Sequence, residues 1–421
     1  MTAPDVHRTI DAIWRIESPK VIAGLVRIVR DVGVAEDVAH DALVAALEQW
    51  PSAGIPSNPG AWLMGTAKHR AIDHWRRTQR IREKHDAIGH ERQADEHRVP
   101  DYDAALDDDV GDDLLRLIFT ACHPVLSEDA RVALTLRLLG GLTTDEIARA
   151  FLVPESTIAQ RIVRAKKTLA KANVPFEVPR GGDRAARLAS VLEVIYLVFN
   201  EGYAATAGAD WIRPALCEEA LRLGRVLAGL APDEPEVQGL VALMELQASR
   251  LAARVGLSGE PILLLDQNRA RWDQLLIRRG LAALERAEHL ARPRGPYTLQ
   301  AAIAACHARA QRPDATDWTA IAVLYAELAR AAPSPVVELN RAVAAAMAFG
   351  PALGLQMVDD LAAVPALAEY HLLPAVRGDL LEKLDRREEA RHEFERAAAL
   401  TDNDRERAVL LERAVRCAAT P

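Results

Sequence analysis

The stretch LTTDEIARAFLVPESTIAQRIVRAKKTL, residues 142–169, leaves the backbone very little choice. Thr143 followed three residues later by Glu146 is a capping box, so a helix starts there with Ile147, Ala148 and Phe151 on its apolar side. Pro154 has no N–H and a fixed φ, which bars it from the interior of that helix and suits the first turn of another. Beyond it Ile158, Ile162, Ala165 and Leu169 recur at helical spacing, leaving Ser156, Gln160, Val163, Arg164 and Lys167 facing outward. The pattern predicts a helix-turn-helix with Leu152 and Val153 in the turn. Many such turns hold glycine, so Leu152 predicts a wide or strained one. A plain helical hairpin inside a bundle is the competing reading.

The second helix also gathers Arg161, Arg164, Lys166, Lys167 and Lys171 in a chain of net charge −8. An acidic total does not exclude DNA, because affinity follows the phosphates neutralised locally. In a major groove Gln160 would meet base edges while Arg161, Arg164 and Lys167 meet phosphates. A second basic cluster lies upstream at Lys68, Arg70, Arg76, Arg77, Arg80, Arg82 and Lys84, and between the two DYDAALDDDVGDD (101–113) holds seven aspartates and no base. Blocks of like charge are solvated or seek an opposite partner. Either cluster alone would pass for a solvated helix face.

Composition points the same way. Half the residues are apolar and only 5% aromatic, with Ala, Leu, Arg and Glu dominant, which predicts an all-α fold. A length of 421 residues suits two or three domains. The opening MTAPDVHRTIDAIWRIE lacks the charged and apolar regions of a secretion signal, and no apolar run reaches bilayer length, so a cytoplasmic protein without a membrane partner is expected. Cys122, Cys217, Cys306 and Cys417 are far apart and read as reduced structural thiols. Cys122-His123 has no second pair of ligands nearby, so no metal is expected. The sequence has no glycine-rich phosphate loop and no G-x-S-x-G, so neither a catalytic residue nor a cofactor is expected.

Upstream, AEDVAHDALVAALEQW (35–50) follows Gly33, read as a breaker, and sets Val38, Ala42, Leu43, Ala46, Leu47 and Trp50 on one side with Asp37, Asp41 and Glu48 opposite. After the loop PSAGIPSNPG, Asn58 and Pro59 supply an N-cap and a first-turn proline for AWLMGTAKHRAIDHWRRTQRIREK. That helix begins apolar and aromatic and ends basic. Trp62 and Trp75 suit either base stacking or core packing.

The order of these segments resembles that of bacterial RNA polymerase sigma factors of the extracytoplasmic-function group, within the sigma-70 family, over about residues 8–172. The resemblance implies that residues 8–84 form sigma domain two, 85–113 an acidic linker, and 114–172 sigma domain four, each domain folded separately. It implies that Asp37, Asp41 and Gln49 face the clamp of core RNA polymerase and that domain four meets its flap. Minus-ten recognition on the melted strand would fall to Asn58, Trp62, His69, Asp73, Arg76, Arg77 and Arg80, with residues 52–62 as pocket edge. Minus-35 recognition of double-stranded promoter DNA would fall to Ser156, Thr157, Gln160, Arg161, Arg164 and Lys167. The acidic linker would run through the polymerase's RNA path, unless it is a plain tether. A polymerase-independent regulator with a helical sensor is the alternative, and it leaves the helix bearing Asp37 and Asp41 unexplained.

Residues 184–421 form a helical extension, introduced by the linker VPFEVPRGGDR. In RLASVLEVIYLVFNEGYAAT, Gly202 is predicted to end the helix. Asn200, Glu201 and Tyr203 read as a capping turn or as contacts to a ligand or domain. Near the end Gly378, Leu381, Ala390, Phe394 and Ala397 match a tetratricopeptide hairpin, with a degenerate copy at 338–361. Such arrays present a concave surface to a regulatory protein or peptide. The whole chain resembles the subgroup of these sigma factors that carries a long C-terminal extension.

Overall fold

The protein is all-α, and its chain divides into two compact units, residues 1–195 and 196–421. The structure is a computed structural model that describes residues 3–86, 110–205, 207–256 and 259–418; side chains of residues 3–5, 8, 73–86 and 110 lie outside that description.

The first unit begins with α1 (Ala3–Val29), α2 (Val32–Ala53) and α3 (Pro59–Asp86), which pack on one another. Asp31 caps α2 by accepting from the Val34 N–H at 2.9 Å, and the helix starts so early that Gly33 lies inside its first turn. The predicted break is therefore two residues further upstream. Asn58 caps α3 as expected, its Oδ1 accepting from the Ala61 N–H at 3.1 Å. Next come α4 (Val110–Ala121), α5 (Glu128–Leu138), α6 (Thr144–Phe151) and α7 (Glu155–Lys171). The end of the acidic tract is folded into α4. Asp113 is buried there, bonded to Arg116 at 2.5 Å and paired with Arg27 at 3.6 Å. Residues 101–109 lie outside the described residues.

Two features of this unit depart from the expected layout of separate domains. Helix α1 packs on α4 and α5, and α2 meets α7, so both sigma-type segments share one body. The first half of α8 (Gly182–Tyr203) also belongs to it. Arg187 donates to the Phe119 carbonyl at 2.8 Å, Ser190 to the Cys122 carbonyl at 2.7 Å, and Arg131 to Glu193 at 2.8 Å.

The second unit adds α9 (Pro214–Leu230), α10 (Pro235–Ala248), α11 (Gln274–Leu290), α12 (Pro296–Arg309), α13 (Trp318–Ala331), α14 (Pro335–Phe349), α15 (Pro351–Leu361), α16 (Leu372–Lys383), α17 (Arg387–Leu400) and α18 (Asp404–Ala418). Helices α9, α10, α12, α14 and α15 each open on a proline, which is pre-set for a first turn and gives up only an N–H that has no helical partner there. From α11 onward each helix packs on the next. Gly202 does not end α8. It lies in the last turn, where an added Cβ would come within 2.7 Å of the Cys217 backbone N, so its smallness admits α9. The α16–α17 hairpin has the predicted packing: Leu381, Ala390, Phe394 and Ala397 are buried and Gly378 faces the Phe394 ring. The degenerate copy is α14–α15, with Gly354 against Ala346.

Beyond these hairpins, the segment after α17 is joined to the segment after α8. Ala207 pairs with Asp402 and Gly208 with Asn403 in a short parallel bridge. Asn403, 1% exposed, donates to the carbonyls of Ala205 at 3.1 Å and Asp210 at 2.9 Å.

Because a Cβ at position 378 would lie 2.8 Å from the Phe394 ring, Gly378→Val is expected to destabilise the second unit by about 2 kcal/mol through overpacking. Chemical denaturation of the variant against the parent measures it.

Candidate nucleic-acid interface

The helix-turn-helix forms as the spacing demands. The Thr143 side chain accepts from the Glu146 N–H at 3.1 Å while Glu146 accepts from the Thr143 N–H at 2.9 Å, completing the capping box. Ile147, Ala148, Ile158, Ile162, Ala165 and Leu169 are buried together. Leu152 takes the glycine position in the turn with a left-handed backbone, φ 51° and ψ 39°. The predicted strain is thus real, and costs about 1 kcal/mol.

Helix α7 presents the expected outer face. Ser156, Gln160, Val163, Arg164 and Lys167 are exposed and Thr157 is half-buried. Arg164 and Lys167 make no ion pair among the described residues. Arg161 differs: it pairs with Asp129 of α5 at 2.9 Å.

On α2, Asp37, Asp41 and Gln49 are exposed. Asp41 also meets Arg70 of α3, which lies 3.8 Å from its carboxylate and donates to its carbonyl at 2.6 Å. On α3, Asn58 and His69 are exposed, while Trp62 is half-buried with its ring edge-on to Trp50, centroids 5.2 Å apart. The Trp62 ring is therefore engaged in packing. The side chains of Asp73, Trp75, Arg76, Arg77 and Arg80 lie outside the described residues.

Sequence reasoning missed the group that joins α2 to α5 and α7. Glu36 of α2 is buried, with Arg137 of α5 at 2.6 Å and Lys166 of α7 at 2.6 Å. Nearby, Arg15 of α1 pairs with Glu146 of the capping box. Burial alone would raise the Glu36 pKa, but the charges of Lys166 and Arg137 outweigh it and hold the carboxyl below its ordinary range. The signal in the sequence was a glutamate beside Ala35 and three residues before Ala39, on a stripe that is otherwise apolar. A carboxylate there needs a counter-charge.

The cysteines are free. Burial pushes the Cys122 thiol up to about 11 and the Cys217 thiol up to about 12. Among the described residues no group of three His, Cys, Asp or Glu side chains is placed to hold a metal ion. None of the described helices is long and apolar enough to cross a membrane.

The comparisons agree with this geometry. Residues 13–81 match Sigma-70 region 2, residues 116–169 match Sigma-70, region 4, and residues 187–288 match a family of unknown function (DUF6596). An uncharacterised protein of Rhizobium meliloti is 43% identical over 408 residues, covering 96% of this chain and 94% of its own length. The RNA polymerase sigma-H factor of Pseudomonas aeruginosa is 28% identical over 171 residues, 40% of this chain and 88% of that protein. A probable ECF RNA polymerase sigma factor, SigI, of Mycobacterium tuberculosis is 26% identical over 229 residues, 50% of this chain and 77% of that protein. The chain belongs to the sigma-70 family of RNA polymerase sigma factors, in the extracytoplasmic-function group, with a long helical extension. It is a sigma factor that directs RNA polymerase to promoters.

Because the folded pKa of Glu36 is depressed, its contribution is full above the ordinary glutamate range and is lost as pH falls through the lower folded value. Glu36→Gln is expected to cost about 2 kcal/mol at pH 7, less than a fully buried pair would, because Arg137 and Lys166 each keep 20% of their side-chain surface in water. That difference should shrink below pH 4, as read by hydrogen exchange of the α7 amides.

Proposed function

We propose that this sigma factor reads the minus-35 element with the outer face of α7 and the minus-ten element with α3, in the cytoplasm, while α2 rests on core polymerase. The observation that carries this is the two-sided character of α7. One stripe is buried in the helix-turn-helix, and the opposite one holds Ser156, Gln160, Arg164 and Lys167 exposed, its two cations without ion-pair partners among the described residues. Gln160 and Ser156 would address base edges, with Thr157 at the rim and Arg164 and Lys167 on phosphates. Arg161 would join them on leaving Asp129. On the other side Asp37, Asp41 and Gln49 would meet the polymerase clamp, and domain four its flap. Asn58 and His69 would approach the melted minus-ten strand together with Asp73, Arg76, Arg77 and Arg80. Trp62 would back Trp50 rather than stack on a base. The helical extension would regulate or assist the sigma core.

The Glu36 contact implies that the first unit opens before initiation. A compact body of 195 residues has a radius of gyration of about 16 Å, hence a span of about 40 Å. Elements near minus-ten and minus-35 are separated by roughly 25 base pairs, about 85 Å of duplex. The two readers reach both elements only after separating, and core polymerase supplies the surfaces on which they do so.

Run-off transcription tests the reading. Purified protein with core polymerase is expected to start transcripts at a promoter of its own genome, while the protein alone binds duplex weakly. Tight binding alone with no transcript at any genomic promoter would favour the polymerase-independent regulator. Within the holoenzyme, Arg164→Ala is expected to weaken promoter binding and to flatten the dependence of log K on log salt by about 0.9, one phosphate contact. An unchanged slope removes Arg164 from the DNA.

A further inference from the structure

The extension carries an electrostatic imbalance that promoter recognition does not use. Arg250 and Arg269 are 7% and 8% exposed, and Arg254 lays its guanidinium 3.8 Å from the centre of the Tyr203 ring. Elsewhere in the same unit guanidiniums meet carboxylates: Arg225 donates to the buried Glu245 at 2.8 Å, and Arg377 reaches Asp359 and Glu393. Among the described residues Arg250, Arg254 and Arg269 make no such ion pair.

Neutral groups hold the three instead. Arg269 donates to the carbonyls of His307 at 2.8 Å and Ala310 at 2.6 Å and to the Thr316 hydroxyl at 2.9 Å. Arg254 donates to the Tyr203 carbonyl at 3.0 Å, and Arg250 to the Gln247 amide oxygen. The Trp272 ring lies within 5.7 Å of Arg250 and 4.9 Å of Arg269, and Tyr203 lies between Arg250 and Arg254. Ring faces attract cations but carry no compensating charge. The cluster also leaves donors unused: Nε of all three arginines, Nε1 of Trp272 and the Tyr203 hydroxyl are buried without a hydrogen-bond partner. Buried donors in a native fold are almost always satisfied, and buried charges are paired. His307 provides no relief, since burial together with Arg250 and Arg269 drives it down to about 3 and keeps it neutral.

We propose that this cluster binds a small phosphate-type oxyanion, either inorganic phosphate or the phosphate group of a small ester. Three guanidiniums call for a doubly charged ligand, because a single carboxylate would leave two charges over. A tetrahedral oxyanion brings several acceptor oxygens at once, and guanidinium forks suit that geometry. The depth of Arg250 and Arg269 favours a small molecule over a peptide. The site lies in the segment matching a family of unknown function, and its test does not involve transcription.

Thermal unfolding of the full-length protein in sodium phosphate, in glucose 6-phosphate, and in sodium chloride of matched ionic strength decides the matter. Saturating phosphate or ester is expected to raise the unfolding temperature of the second unit by roughly 5 °C over chloride. A tenfold tighter response to the ester would identify an ester site, and an equal response a phosphate site. Arg254→Gln is expected to abolish the anion response and, by removing an uncompensated charge, to leave the protein in chloride at least as stable as the parent. Equal melting in all three solutions, or an Arg254→Gln variant that is less stable yet still responds to phosphate, overturns the proposal. Should that variant not fold, calorimetric titration of phosphate into the parent and into Arg254→Lys, expected to bind at least tenfold more weakly, gives the same decision.

Discussion

A buried carboxylate on α2 ties the first three helices of this sigma factor to its helix-turn-helix. Glu36 belongs to the helix expected to rest on polymerase, and its two cations come from α5 and from α7, the second helix of the helix-turn-helix. An ion pair withdrawn from water has little net worth for stability but strong directional demands, so it fixes register more than it adds strength. Here it fixes how α7 lies on α2 while leaving the outer face of α7 uncovered. Lys166 is spent on the contact, and Arg164 and Lys167, two residues before it and one after, are not. A helix can be held by one face while the other stays exposed.

The extension follows a different logic. Hairpins of the small-large-small kind ordinarily stack into an open spiral with one concave face for a partner. In this chain a two-residue parallel bridge and the buried Asn403 tie residues 205–210 to residues 402–403. Tying these two segments removes freedom from the chain between them. The buried arginines and the aromatic rings against them lie in that part of the chain, and Tyr325, pushed up to about 12 by burial, is affected by the charge of Arg250.

What the sequence disclosed, and what it withheld, follow from the range of the interactions. The capping box at Thr143 and Glu146, the Pro154 start, the Asn58 cap and the Gly378–Phe394 packing are set within a few residues or one hairpin, and all are legible as spacing. The strained turn at Leu152 was visible because the required backbone is one that glycine normally supplies. Glu36 with Arg137 and Lys166 was not, since its partners stand 101 and 130 positions away and no local pattern pairs them. The parallel bridge joins residues 195 positions apart and escaped for the same reason. Gly202 shows the limit of local rules: its place near a helix end suggested a stop signal, whereas close approach to Cys217 is what requires it.

Helix α8 alters where the sigma core can be said to finish. Similarity to region 4 stops at residue 169, yet Arg187, Ser190 and Glu193 hold the Phe119 and Cys122 carbonyls and Arg131 of that region. Cutting the chain in the proline-rich linker would strip α4, α5 and the turn between them of these polar ties. A loss of activity in a piece that ends before α8 reports on the loss of these ties as well as on the job of the extension.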